Sequence, residues 1–319
     1  MKNCITDVKG IFVGQESDYE NITGCTVVLC PDGATCGIDI RGGGPGSREC
    51  CLLNPMMTVE KVHTVFMAGG SSKGLGVADG IIQYLEERNI GFESEFAKIP
   101  IVPGSVIYDL SIGSSHARPT KEMGYRACLN AKSEKISQGN VGAGTGATVG
   151  KALGFRNCMK GGIGSASMTL RNGVTVGAIV TVNSFGEIRD NKTYETIAGV
   201  YAEGVIKDTN QCMFESDNIT YSFNMENTTL AVIATNAKLS KVGCCKVAQM
   251  AANGLSKTIH PFGTTLDGDT TFVLSKGELE CDINILGTLA GEVVAQAVVN
   301  GIKSATSVAG VKAYQDIKK

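Results

Sequence analysis

Residues 165–186 read SASMTLRNGVTVGAIVTVNSFG, two β-rich runs about the dipeptide Asn172-Gly173. Asn-Gly is the pair best suited to a two-residue hairpin turn, so the middle of the chain predicts antiparallel strands. Other segments join that frame. CTVVLC, TCGIDIRGGGPGSRE and HTVFMAGGSS alternate short β runs with glycine turns, and SVIYDL, NTTLAVIATN and TTFVLS read as further strands. Helical spacing of apolar residues marks 73–88, a segment near PTKEMGYRACLNA whose proline suits a helix N-terminus, 239–259, and a last helix near INILGTLAGEVVAQAVVNGIKS. The polar stretch from Glu187 to about Met225 is the least structured in pattern and the natural place for a flexible or processed segment. Together these predict a mixed α/β chain with much antiparallel pairing.

Charge and cysteine usage narrow the functional classes. Net charge is −2 without like-charge runs, which argues against a nucleic-acid surface and toward small-molecule or peptide substrates. No apolar core of a signal peptide opens the chain, no later stretch is expected to reach membrane-spanning length, and a cytoplasmic protein is expected. The 12 cysteines contain no CxxC pair, so metal spacing is absent and most are expected to be reduced, buried small hydrophobes. With 41 glycines and no tryptophan, close backbone approaches are expected in place of an aromatic-lined groove.

The glycine loop GNVGAGTGATVGKALG, residues 139–154, invites a phosphate-loop reading and fails it. Counting back from Gly150-Lys151, the required glycine position holds Thr145, and Ala152 stands where Ser or Thr should bind Mg²⁺. Lys151 taken alone is an ordinary surface lysine. Asn227-Thr228-Thr229, where the polar stretch meets an apolar strand, offers more. Cleavage before Thr228 would put a hydroxyl nucleophile and an α-amine of pKa about 7.7–8.0 on one residue, the amine serving as base; the plain alternative is a β-branched pair opening a strand. Asp267 and Asp269 lie on one face of an extended segment, able to share a proton or orient an amine, or else form a polar turn. Asn183 is either a turn residue or an amide aimed at an oxyanion. His63, His116 and His260 sit in no triad motif and are taken as structural.

In combination these residues resemble a family. ITDVKGIFVG, IDIRGGGPGSRE, VFMAGGSSKGLGVADGIIQYLEERNIGF, IPIVPGSVIYDL, GNVGAGTGATVGK, VGAIVTVNSFG, NTTLAVIATNAKL and the closing DGD occur in order nearly end to end. The chain so resembles the self-processing N-terminal-nucleophile hydrolases that include L-aminopeptidase D-Ala-esterase, the β-peptidyl aminopeptidases and the nylon-oligomer endohydrolase. The resemblance implies a four-layer α/β/β/α sandwich formed by residues 1–319 as a single domain, cut between Asn227 and Thr228 into fragments 1–227 and 228–319. It implies Thr228 as nucleophile, Asp267 and Asp269 as its orienting pair, Lys151 as a nearby positive charge, Asn183 as the oxyanion amide and Tyr108 at the substrate pocket. Thr with Asp-x-Asp looks more like the oligomer endohydrolase than the serine aminopeptidases, a mild lean toward ω-amino acid oligoamides. No metal or organic cofactor, nucleic acid or membrane is implied, and a homotetramer of cleaved protomers is. The rivals are an acyltransferase of the ornithine acetyltransferase type, a nucleotide-binding module, and a homologue that never processes.

Overall fold

A computed structural model describes residues 2–215 and 227–317. Nine strands form the main sheet: β1 (Phe12–Asp18), β2 (Thr23–Ile40), β3 (Ser47–Arg48), β4 (Lys61–Ala68), β5 (Gly104–Val106), β6 (Gly162–Thr169), β7 (Thr175–Asn183), β8 (Thr228–Ala237) and β9 (Thr270–Leu279). Their order is β6-β7-β8-β9-β2-β4-β5-β3, with β1 paired to β2. The pairs β8/β9 and β4/β5 are parallel, and the other pairs are antiparallel. Five helices matter below: α1 (Val77–Glu86), α2 (Lys121–Leu129), α3 (Thr209–Phe214), α4 (Lys241–Thr258) and α5 (Ile283–Ser304).

β2 turns one sheet into two layers. Its first part pairs with β1 and β4, its last part with β9, and the ladder to β4 shifts between Leu29 and Ala34. Pro31, which has no amide hydrogen, and Gly33, with φ +81°, lie in that gap. Side-chain alternation then separates three cores. Val176, Ala178, Val180, Ala231, Ile233 and Val273 face α4 and α5. Ile179, Leu230, Val232 and Phe272 turn the other way, onto Val28, Val65 and Met67. Val27, Leu29, Phe66 and Ala68 pack under α1 and α2. Helices, strands, strands, helices: the α/β/β/α sandwich is the observed architecture, and the middle core draws on residues from both sides of the Asn227-Thr228 bond.

Four sequence expectations change. The hairpin β6/β7 turns through Arg171-Asn172-Gly173: the Gly173 N–H meets the Leu170 carbonyl at 2.9 Å, and only Gly173 has positive φ, +86°. The connection is therefore a type I turn closed by a glycine bulge, not a two-residue loop. The expected 73–88 helix opens as a 3₁₀ segment, Ser71–Gly76, because Gly74 and Gly76 weaken the first turns, and is α-helical only over α1. The polar stretch is ordered in its first part. Glu187–Arg189 pairs with Thr196–Ala198 and Ile259–His260, and buried Glu187 binds Arg189, Thr196 and the Thr209 N–H that opens α3; the remainder of that stretch, beyond 215, lies outside the described residues. Finally, α5 does reach membrane-spanning length and composition, with 22 residues at hydropathy 1.5, but 72% of that window is buried. It is a core helix, capped by Asp282 and crossing α4 where Gly254 meets the Gly291 backbone.

All twelve cysteines are free, and Cys4, Cys25, Cys30, Cys36, Cys128, Cys158 and Cys244 are buried. Burial raises the Cys30, Cys128 and Cys244 thiols to about 12, so they stay neutral packing groups.

Candidate active site

Thr228 is the first residue of β8, and its Cα pairs with Asn183 at the end of β7. On its other side the chain before it runs beside the turn that opens β9: Asn227 bridges Asp267, and the Gly268 N–H donates to the Asn227 carbonyl at 2.8 Å. The Thr228 hydroxyl donates to that same carbonyl, the one preceding it in the chain. Two strand ends and one turn thus deliver a hydroxyl, a peptide carbonyl and an N–H donor to a single buried point.

The acidic flank is Asp267-Gly268-Asp269. Asp269 accepts from the Thr229 N–H at 2.6 Å and the Gly263 N–H at 3.0 Å. Asp267 accepts from the Phe185 N–H at 3.2 Å and from both the N–H and hydroxyl of Thr264. Both are almost fully buried. Burial pushes the two carboxyls up, Asp269 further because the Asp267 charge adds to it, while the hydrogen bonds and the Lys151 charge hold Asp267 back. Charge on one of these carboxyls therefore opposes ionisation of the other. Gly268 between them is obligatory: a Cβ there would stand 2.7 Å from the Thr228 hydroxyl oxygen and 2.8 Å from the Gly44 carbonyl.

The basic flank comes from the glycine loop and β7. Lys151 reaches the Asn183 side-chain oxygen at 3.2 Å and its carbonyl at 3.4 Å. That side-chain oxygen also accepts from the Thr148 N–H at 2.9 Å, while the Asn183 amide nitrogen donates to the Tyr108 carbonyl at 3.1 Å. Residues 142–150 are buried, and the loop glycines serve close packing: a Cβ on Gly150, already at φ +75°, would fall 2.0 Å from the Gly199 backbone. A buried backbone offers no open cradle for phosphate. Lys151 is buried beside Asn183 and is not the surface lysine that it resembled in isolation.

Thr228 opens onto a cavity of about 400 Å³ lined by Gly43–Gly46, Ser71, Ser72, Val106, Ile107 and Tyr108. None of the three histidines lines it. A larger cavity of about 830 Å³, among Lys2, Lys9, Asp32 and Lys276, includes none of the residues singled out from the sequence. Three features were missed: the Gly268 N–H, since backbone donors leave no residue-type signal; Thr264 and Thr148, which look like ordinary loop threonines; and Lys160, buried behind the glycine loop with no motif around it. Among the described residues no cluster of His, Cys, Asp and Glu could hold a metal ion.

Comparisons with known proteins give the family and the fold. The model of peptidase family S58 matches residues 3–315. The chain is 38% identical to an uncharacterized aminopeptidase, ML1167, of Mycobacterium leprae, over 98% of this chain and 93% of that one. It is 31% identical to the 6-aminohexanoate-oligomer endohydrolase of a Kocuria species, over 93% of this chain and 85% of that one. Among solved structures, the L-aminopeptidase D-Ala-esterase/amidase of Ochrobactrum anthropi, an Ntn hydrolase fold variant, superposes with a TM-score of 0.72 at 18% identity, covering 98% and 90% of the two chains. The buried hydroxyl, its paired carboxylates and a full-length match to one family leave one assignment: the chain belongs to peptidase family S58 and is a hydrolase of amide bonds.

Proposed function

We propose that the chain cleaves its own Asn227-Thr228 bond and then hydrolyses amides with Thr228 as N-terminal nucleophile. The observation that carries this is the Thr228 hydroxyl held against the Asn227 carbonyl while the Gly268 N–H takes the same oxygen. The hydroxyl oxygen attacks that carbonyl carbon, Gly268 stabilises the developing oxyanion, the hydroxyl proton passes to the Thr228 nitrogen, and breaking of the C–N bond leaves an ester with a free α-amine. Water then hydrolyses the ester, giving the Asn227 carboxylate and the free Thr228 hydroxyl beside the new α-amine. In turnover the amine takes the hydroxyl proton, Asp269 holds the residue after the nucleophile through the Thr229 N–H, Asp267 ties the adjoining turn to the segment after β7 through Thr264 and Phe185, and Asn183 beside Lys151 stabilises the substrate oxyanion. An acyl-enzyme forms and water hydrolyses it. Because the middle core takes residues from 1–227 and 228–319 alike, the fragments stay together as one folded unit. Assembly as a homotetramer and residence in the cytoplasm, where free thiols persist, belong to the same proposal.

The bond cleaved is an amide, and the aminopeptidase and the 6-aminohexanoate-oligomer endohydrolase among the relatives are both named for cutting one. The test is N-terminal sequencing of the small fragment together with turnover of aminoacyl anilides and 6-aminohexanoate oligomers. A fragment beginning Thr-Thr-Leu-Ala and release of amine without acyl transfer to an added amine are expected. A fragment that begins elsewhere would remove Thr228 as nucleophile; predominant aminolysis would make the protein an acyltransferase.

A further inference from the structure

Behind the Asn183 carboxamide lies a buried lysine that the mechanism above does not use. The Lys160 side chain is wholly buried, and its nitrogen donates to the carbonyls of Ala147 at 2.7 Å, Gly144 at 3.0 Å and Gly161 at 3.2 Å. Three acceptors match the three hydrogens of an ammonium; a neutral amine would leave one carbonyl facing its lone pair. The pinned turn, 144–148, is the one that presents the Thr148 N–H to the Asn183 side-chain oxygen. Asp109 makes the complementary arrangement. Almost fully buried, it accepts from the Gly70 N–H at 2.6 Å and the Thr23 hydroxyl at 2.7 Å, and so anchors the segment whose preceding residue, Tyr108, accepts the Asn183 amide nitrogen. Each carboxamide end is therefore held by a backbone group with a buried charge directly behind it. An amide that must offer its nitrogen to an oxyanion is useless if flipped, and its orientation rests on the Thr148 N–H and the Lys151 side chain at the oxygen end and on the Tyr108 carbonyl at the nitrogen end.

We propose that Lys160 and Asp109 are positioning residues that together fix the orientation of the Asn183 carboxamide, Lys160 in its ammonium form. This rests on the proposed role of Asn183. The groups that bear on the Lys160 charge are Asp109 and Cys158, which favour it, and Lys151, which opposes it; burial opposes it most and pulls its pKa down to about 7. As pH rises the ammonium loses a proton, the third carbonyl loses its donor and the turn loosens. Turnover should fall on the alkaline side for that reason.

The test is the pH profile of kcat and KM for wild type, Lys160→Met and Asp109→Asn, each checked for self-cleavage and melting temperature. Lys160→Met should lower kcat by up to about 10²-fold, within the range for losing one oxyanion donor, leave KM within about twofold, and lack the alkaline limb. Asp109→Asn removes the charge that favours the ammonium, so its alkaline limb should move to lower pH. A folded Lys160→Met with wild-type kcat, or with an unchanged alkaline limb, overturns the proposal. If Lys160→Met does not fold, Asp109→Asn decides alone: a limb that stays where wild type has it overturns the proposal. A wild type that hydrolyses amides but is indifferent to Asn183→Ala removes the role of Asn183 and this inference with it, whereas an active, Asn183-dependent wild type with immobile limbs removes this inference only.

Discussion

The two flanks of Thr228 are built from different materials. The acidic flank is short and local in sequence: three consecutive residues at the mouth of β9, pinned by the N–H groups of Phe185, Thr229, Gly263 and Thr264. The basic flank is assembled from three distant segments: the loop ending at Lys151, the end of β7 at Asn183, and the segment at Tyr108. One flank touches the Asn227 carbonyl through Gly268; the other places an amide and a lysine side by side. Under the proposed chemistry this difference becomes a division of labour, with the acidic flank setting up self-cleavage and the basic flank serving turnover.

The sharpest way to break that division is Gly268→Ala. With backbone as well as the nucleophile in the way of its Cβ, self-cleavage should stop altogether, seen as a single band on denaturing gels after prolonged incubation. Efficient cleavage in that variant would show that the DGD turn does not govern the step. Next comes Asn183→Ala, expected to lower kcat by about 10²–10³-fold while self-cleavage still completes, because the Asn227 carbonyl has its own donor in Gly268. Loss of both steps together would merge the two flanks into one machine.

A smaller effect separates the flanks by pH. Burial and the Asp267 charge raise Asp269 to about 8, above the unfolded value of about 3.9. The folded uncut chain thus binds a proton that the unfolded chain has lost, so this contribution to stability is complete below about pH 4 and gone once pH has risen through about 8. Denaturant midpoints of uncut Thr228→Ala should decline across that window, and adding Asp269→Asn should flatten the decline. Lys241→Met should have the least effect on activity. Like Lys160, Lys241 donates to three carbonyls, those of Leu52, Met57 and Val59, but on α4 and away from both flanks. Stability should fall by roughly 1–3 kcal/mol with kcat unchanged. A drop in kcat comparable to that of Lys160→Met would mean that carbonyl-caged lysines act through general stability alone.

What was legible in the sequence follows the same divide. Strand and helix content came through because the apolar period of β7, β8, α4 and α5 is strong. Asp267 and Asp269 stood out as a pair because two side chains at i and i+2 need no fold to be neighbours. Lys151, Asn183 and Tyr108 needed the family resemblance, since only the long-range packing of β7 and the glycine loop brings them together. Lys160 and the Gly268 N–H escaped both routes. A buried ammonium satisfied by carbonyls and a backbone donor leave no pattern of residue types. Glu187 misled for a related reason: a polar stretch reads as a linker until a buried carboxylate is seen tying it down.

The proposed chemistry requires Thr228 to become an N-terminus, and the intact mass under denaturing conditions of wild type beside Thr228→Ala tests that most directly. Two wild-type fragments meeting at Asn227/Thr228, inactive uncut Thr228→Ala and amide hydrolysis only by the cut protein are the predicted result. A wild type that stays whole yet hydrolyses amides, or a Thr228→Ala variant that cleaves at the same bond, would contradict it.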